Sequence, residues 1–95
     1  MKILVMEIKI RVSFVNSLKE KRMILRSIRE KVKNKFNVSI SEVDSQDNHK
    51  LITFGISSVS SEKDLLNNLK EKIIDYIEGN FEGEIIGIYE EIENY

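Results

Sequence analysis

SLKEKRMILRSIREKVKNKF, residues 17–36, opens as a helix opens and continues as one. Ser17 is a good N-cap and Glu20 follows three residues later, so each side chain is placed to satisfy an orphan backbone N–H of the first turn. Leu18, Leu25, Ile28 and Val32 then recur at helical spacing and make one apolar stripe. Lys21 falls inside that stripe, so its ammonium needs an anionic partner or a path out to water. Beside the stripe runs a basic ridge of Arg22, Arg26, Arg29 and Lys33, spaced i, i+4, i+7 and i+11. Lys19, Lys31 and Lys35 add charge around it, against Glu20 and Glu30. Like charges at i, i+4 cost roughly 0.2–0.5 kcal/mol per pair. Arg26 with Glu30 is expected to offset part of this; Arg22 with Arg26 and Arg29 with Lys33 do not.

On the N-terminal side of this helix, Leu4, Met6, Ile8, Ile10, Val12 and Phe14 alternate with mostly polar neighbours. That period of two predicts a half-buried antiparallel strand over Lys2–Phe14, with Val15 and Asn16 turning into the helix. On the C-terminal side a second strand starts near Phe36, with Phe36, Val38 and Ile40 facing in. Val43 falls out of phase, and a bulge near Ser41–Glu42 would absorb the slip. The polar run Asp44–Asn48 reads as a hairpin loop, and His49–Ser58 as a third strand. A second helix begins at Ser60 or Ser61, where Ser61 with Asp64 imitates a capping box; Leu66, Leu69, Ile73 and Ile77 form its stripe. Gly79 is expected to end it in the left-handed conformation. Glu84–Glu93 is the fourth strand, with Ile86, Ile88 and Ile92 facing in and Ile85, Gly87 and Tyr89 facing out.

The order β-α-β-β-α-β predicts an α+β, ferredoxin-like sandwich. Its four-stranded antiparallel sheet has the order 4-1-3-2, with both helices on one face and right-handed crossovers. The chain of 95 residues reads as one domain, residues 1–95, which buries roughly 60–65% of its unfolded surface. In this topology the start of the first helix and the hairpin loop lie at the same end of the sheet. Lys21 and Arg22 are therefore expected to pair with Asp44 or Asp47 and to pin the helix to the hairpin.

The net charge of −1 conceals a polarity. Residues 1–35 carry eleven Lys/Arg against three Asp/Glu, residues 36–60 carry a net −2, and residues 61–95 carry three lysines against ten acids. Such asymmetry suggests an oriented interaction surface. There is no cysteine, hence no disulfide and no thiolate metal site. No apolar run reaches the roughly 20 residues of a membrane span, and no signal peptide is visible, which implies the cytoplasm.

SLKEKR at Ser17–Arg22, together with KFNVSISEVDSQD at Lys35–Asp47, resembles the YlxP-like family of small bacterial proteins. The similarity runs on through the SVSSE entry to the second helix and the acidic last strand. The resemblance implies a ferredoxin-like domain of unknown function. Genes of that family often lie near those of translation initiation and ribosome-maturation factors, which implies a ribosome-linked role by association.

Three readings compete at the hairpin end. Asp44, Asp47 and His49, with Glu42 in reserve, are a candidate metal set. The same residues can serve only to pair with Lys21 or Arg22. The start of the first helix, with Lys19, can instead hold a phosphate or carboxylate. The structural pair is preferred, and neither metal nor cofactor is expected; a chelator should leave the melting temperature unchanged, and a drop of several degrees would overturn this. The open sheet face offers Glu7, Lys9, Arg11, Leu51, Thr53 and Gly55 on its central strands, with no aromatic to stack a base; Tyr89 lies on an edge strand. An enzyme is not expected. There is no Gly-rich phosphate loop and no Ser-His-Asp set, and Asn16 stands without the Arg that an acyl-phosphatase of this fold needs. Two functions remain. One is an accessory protein that binds ribosomal RNA or a ribosomal particle through Lys19, Arg22, Arg26, Arg29 and Lys33. The other is a protein-interaction or homodimerisation module.

Overall fold

A computed structural model describes residues 1–95. The elements are β1 (Lys2–Arg11), α1 (Leu18–Lys35), β2 (Ser39–Asp44), β3 (Leu51–Ser60), α2 (Lys63–Asn80) and β4 (Glu84–Asn94). The strands form one antiparallel sheet in the order β2-β3-β1-β4. This is the expected ferredoxin-like α+β arrangement. The apolar faces of β1 and β3, where Ile8 lies opposite Phe54 and Met6 opposite Ile56, meet the stripes of both helices. Ile28, Val32 and Ile73 lose all contact with water. Burial of such a side chain contributes roughly 1.5–3 kcal/mol.

The helix-one signals act much as written. Glu20 N–H donates to Ser17 Oγ (3.1 Å), and Asn16 N–H donates to Glu20 Oε2 (3.1 Å). The box thus closes one residue earlier than its standard form. β1 stops at Arg11 rather than Phe14, because Ser13 and Phe14 turn; Val12 and Val15 stay buried, while Phe14 is exposed.

Other expectations are corrected. Glu62, not Ser61, is the N-cap of α2, and it makes no side-chain cap bond. The nearby hydroxyl in use is Ser60 Oγ, which accepts from Glu62 N–H at 3.0 Å. Gly79 remains inside α2, and Asn80 Nδ2 donates back to Tyr76 O at 2.8 Å. The left-handed glycine is Gly83, with φ 126°. A Cβ there would lie 3.0 Å from Ile10 Cγ2 and 3.2 Å from Arg11 O, so β4 enters the sheet through a position that suits glycine.

Two register shifts decide which residues face the helices. One falls between Glu42 and Asp44 in β2, a residue beyond the expected bulge, and makes Val43 the extra residue. Val43 lies over Gly55, where an added Cβ would come within 2.6 Å of Val43 Cγ1. The other falls in β4, where Ile85 pairs with Ile10 and Gly87 with Lys9, so Ile86 is extra. Ile85 therefore packs against the core, and Ile86 is exposed, the reverse of the expected assignment. Ile88 lies opposite Ile8 as expected, though still largely exposed at the sheet edge.

β4 is also tied by charge. Lys70 Nζ on α2 donates to Glu90 Oε1 at 2.7 Å, and this hydrogen bond raises the lysine pKa above 10.5. Tyr89 OH donates to Glu91 (2.6 Å) and Tyr95 OH to Glu93 (2.7 Å); both bonds raise the phenol pKa above 10.0. A raised pKa means that the folded state holds the proton more tightly. Its contribution is full below the unfolded pKa and disappears as pH rises through the folded one. Stability is therefore expected to fall above about pH 10. Melting curves across the alkaline range should show a shallower fall in Glu90→Gln, and an identical pH profile would exclude the Lys70 contribution.

Candidate functional site

Lys21 is 1% exposed. Its position in the stripe carries it inward, and its Nζ reaches the hairpin. There it donates to Ser45 O (2.5 Å) and Asn48 O (2.8 Å) and lies 3.0 Å from Glu42 Oε2. Helix and hairpin are joined, but not through the expected acids. Asp44 accepts from Ser45 N–H (2.7 Å), and neither Asp44 nor Asp47 comes within ion-pair reach of Lys21 or Arg22. The bulge is the reason: it leaves Glu42 on the helix face opposite Phe54 and puts Asp44 opposite Thr53 on the other face. Glu42 Oε2 accepts no well-aligned hydrogen bond, so Lys21 is its whole compensation. Ser45 takes φ 62°, and its Oγ lies 3.0 Å from the buried Thr53 Oγ1.

A second lysine, Lys50, works in the opposite direction. It donates to Ser13 O (2.7 Å) and to Val15 O in the β1–α1 turn. Two lysines thus cross-tie the two loops at this end, both through backbone carbonyls and Lys21 through the Glu42 carboxylate as well. The sequence reading missed Lys50. The only signal was that the β1–α1 turn carries carbonyls with no partner of their own.

The metal and anion readings find little here. No three His, Cys, Asp or Glu side chains come together as a metal set, and His49 is half-buried at the end of the hairpin. At the start of α1, the N–H groups of Asn16 and Glu20 are already satisfied by Glu20 and Ser17. The open sheet face is also more closed than expected: Thr53 is 2% exposed and Val43 covers Gly55.

The basic residues divide into two sets. Lys31 lies 5.5 Å from the Phe81 ring centre, and Lys35 lies 5.3 Å from that of Tyr76 and 5.9 Å from that of Phe36. These three rings stack edge to face along the α1–α2 seam, and the two ammonium groups lie over them. Arg22, Arg26 and Lys33 project from the other flank of α1. All three are exposed, and no carboxylate lies within 4.0 Å of them. Lys19 is exposed and equally free of acids. Arg29 is half-buried and lies 3.6 Å from Glu30, which therefore does not offset Arg26 as expected.

No helix is long and apolar enough to cross a membrane. The fold and its cross-tied loop end define a small ferredoxin-like α+β domain. The chain belongs to the family of proteins of unknown function DUF503, which matches residues 3–89. It is 44% identical over 62 residues to the uncharacterized protein YlxP of Bacillus subtilis (strain 168), a match over 65% of this chain and 67% of that protein. Among solved structures, the de novo designed protein Foldit4 superposes with TM-score 0.55 at 22% identity, over 98% of both chains. The de novo designed protein Ferredog-Diesel gives TM-score 0.45 at 14% identity, over 97% of this chain and 84% of that one. The likeness to Foldit4 speaks to the fold alone.

Proposed function

We propose that this protein is a non-enzymatic accessory factor of the cytoplasm that binds ribosomal RNA or a ribonucleoprotein particle through the outer flank of α1. One observation supports this reading: Arg22, Arg26 and Lys33 are exposed on one flank, and no acid neutralises them. Internal ion pairs would have spent that charge. Eighteen residues at 1.5 Å each make α1 about 27 Å long, so Lys19 and the ridge can follow a nucleic-acid backbone. No aromatic interleaves the ridge, so the contacts would position the protein on phosphates without reading bases.

The test is co-sedimentation with ribosomal subunits. Binding should weaken with salt, and each lost phosphate contact should reduce the log–log slope by roughly 0.7–0.9. The triple variant Arg22→Glu, Arg26→Glu, Arg29→Glu should no longer co-sediment. Its stability should change little at Arg22 and Arg26, because exposed charges of this kind contribute about 0–1 kcal/mol; Arg29 is half-buried beside Glu30, so a melting curve of the triple variant checks that it folds. If the folded triple variant sediments like the wild type, the ridge is only a solvated face. The protein-interaction or homodimerisation reading then takes over, and a mass measurement of the free protein decides between its two forms.

A further inference from the structure

We infer that the outer edge of β4 is a docking site for an extended, basic peptide segment of another protein, which adds to the sheet as a fifth strand. This goes beyond the RNA reading and does not depend on it: α1 packs over β2, whereas β4 lies at the other edge of the sheet, beside α2.

The first observation is the unpaired backbone. β4 is eleven residues long and pairs on one side only, with β1. Met1 and Tyr95 exchange both backbone bonds, Tyr95 N–H to Met1 O at 2.7 Å and the terminal ammonium to Tyr95 O at 2.6 Å. Hydrogen-bonded pairs alternate along an antiparallel ladder. Glu93, Glu91 and Tyr89 therefore point their backbone groups at β1, and Ile92, Glu90 and Ile88 point theirs outward. Proteins usually blunt such an edge against self-pairing with charged side chains, lysine above all, or with proline, shortness or a bulge. The opposite edge, β2, is six residues long and bulged near its end. β4 has no lysine and no proline, and its bulge at Ile86 leaves Gly87–Asn94 in unbroken register.

The second observation is charge. From Ile73 to Tyr95 there are seven acids and no lysine or arginine. Glu91 and Glu93 line the open face of the free stretch, Glu90 on the helix face is already paired with Lys70, and the exposed Ile88 and Tyr89 give the edge an apolar centre. Two copies of this edge would set glutamates against glutamates, which is unfavourable. RNA would be repelled for the same reason. A strand that alternates lysine with apolar residues complements both features: its backbone completes the ladder, and its charges meet the glutamates.

The probe is a blocked synthetic peptide of about eight residues that alternates lysine with valine, long enough to span the free stretch at about 3.4 Å per residue. A glutamate–valine peptide is the control. Amide exchange by NMR is the readout. The lysine peptide should protect the amides of Ile88, Glu90 and Ile92, while those of Tyr89 and Glu91, already bonded to β1, change little. Ile88→Pro removes an outward N–H without breaking the existing ladder, and should abolish binding. Glu91→Lys with Glu93→Lys should weaken it by about tenfold or more; this pair decides the matter if the proline variant does not fold. Equal binding of both peptides, undiminished binding by the charge-reversed variant, or protection confined to the open sheet face would each overturn the inference. So would protection of the outward amides in the free protein together with a dimeric mass, since the edge would then belong to a second copy. Arg22→Glu, Arg26→Glu, Arg29→Glu should bind the peptide as the wild type does, which separates this inference from the RNA reading.

Discussion

Lys21→Met is expected to lower the unfolding free energy by about 3–5 kcal/mol, the usual cost of removing one partner from a buried ion pair. Methionine keeps the stem of the side chain and most of its packing, so the loss is specific to the ammonium. Three acceptors are left behind: Glu42 Oε2, Ser45 O and Asn48 O. Glu42 is the serious one, since its buried Oε2 has only Lys21, while the rest of the side chain, 22% exposed, keeps some contact with water. A 60–100-residue domain loses about 4–8 °C per kcal/mol, so the melting temperature should fall by about 12 °C or more. The double variant Lys21→Met, Glu42→Leu should recover most of this, because an apolar pair replaces a buried ionic one at little cost. A residual loss of about 1–2 kcal/mol should remain from the two hairpin carbonyls. Denaturant midpoints of the wild type, both single variants and the double variant complete the cycle. A single variant within about 1 kcal/mol of wild type would mean that the clasp adds nothing to stability.

Phe54→Ala should cost about 3–5 kcal/mol, as large-to-small changes at fully buried aromatics do. Phe54 has no exposed surface, and it stands between Ile8 on β1 and Glu42 on β2 on the helix side of the sheet. Its removal leaves a void next to the ionic clasp. The two sites share Glu42 as a neighbour, so their effects should not add. Lys21→Met combined with Phe54→Ala is expected to cost less than the sum, because water entering the void can solvate the stranded carboxylate. Strict additivity would show that the void stays dry and apart from Glu42. Phe54→Leu, which removes less volume, should lie well between alanine and wild type.

These two residues also show what a pattern can and cannot reveal. The place of Lys21 was legible, because a lysine four residues before Leu25 on a stripe has to go inward. Its partner was not. Asp44 and Asp47 look closer in sequence to the loop tip, but the extra residue at Val43 turns Glu42 to the helices and Asp44 away. The shift in strand phase at Val43 announced a bulge, yet one residue either way changes which acid faces the core. The same ambiguity reversed Ile85 and Ile86 in β4, where runs of isoleucine satisfy either face equally well. Gly79 was the glycine expected in the left-handed conformation, and Gly83 takes it instead. The close approach of Ile10 and Arg11 at Gly83 is a contact between distant segments, which no local signal carries.

By itself the sequence determined the order of elements, the start of α1, the apolar faces of β1 and β3, and the separation of basic and acidic halves. These follow from local periodicity, capping chemistry and charge, which act over a few residues. The tertiary structure alone decided which acid meets Lys21 and that Lys50 closes the opposite loop. It also decided that Arg22, Arg26 and Lys33 stay unpaired while Lys31 and Lys35 settle on aromatic rings. Each of these outcomes depends on register across the sheet and on the packing of α1 beside α2. There, a one-residue bulge or a rotation of the helix exchanges one partner for another at little local cost.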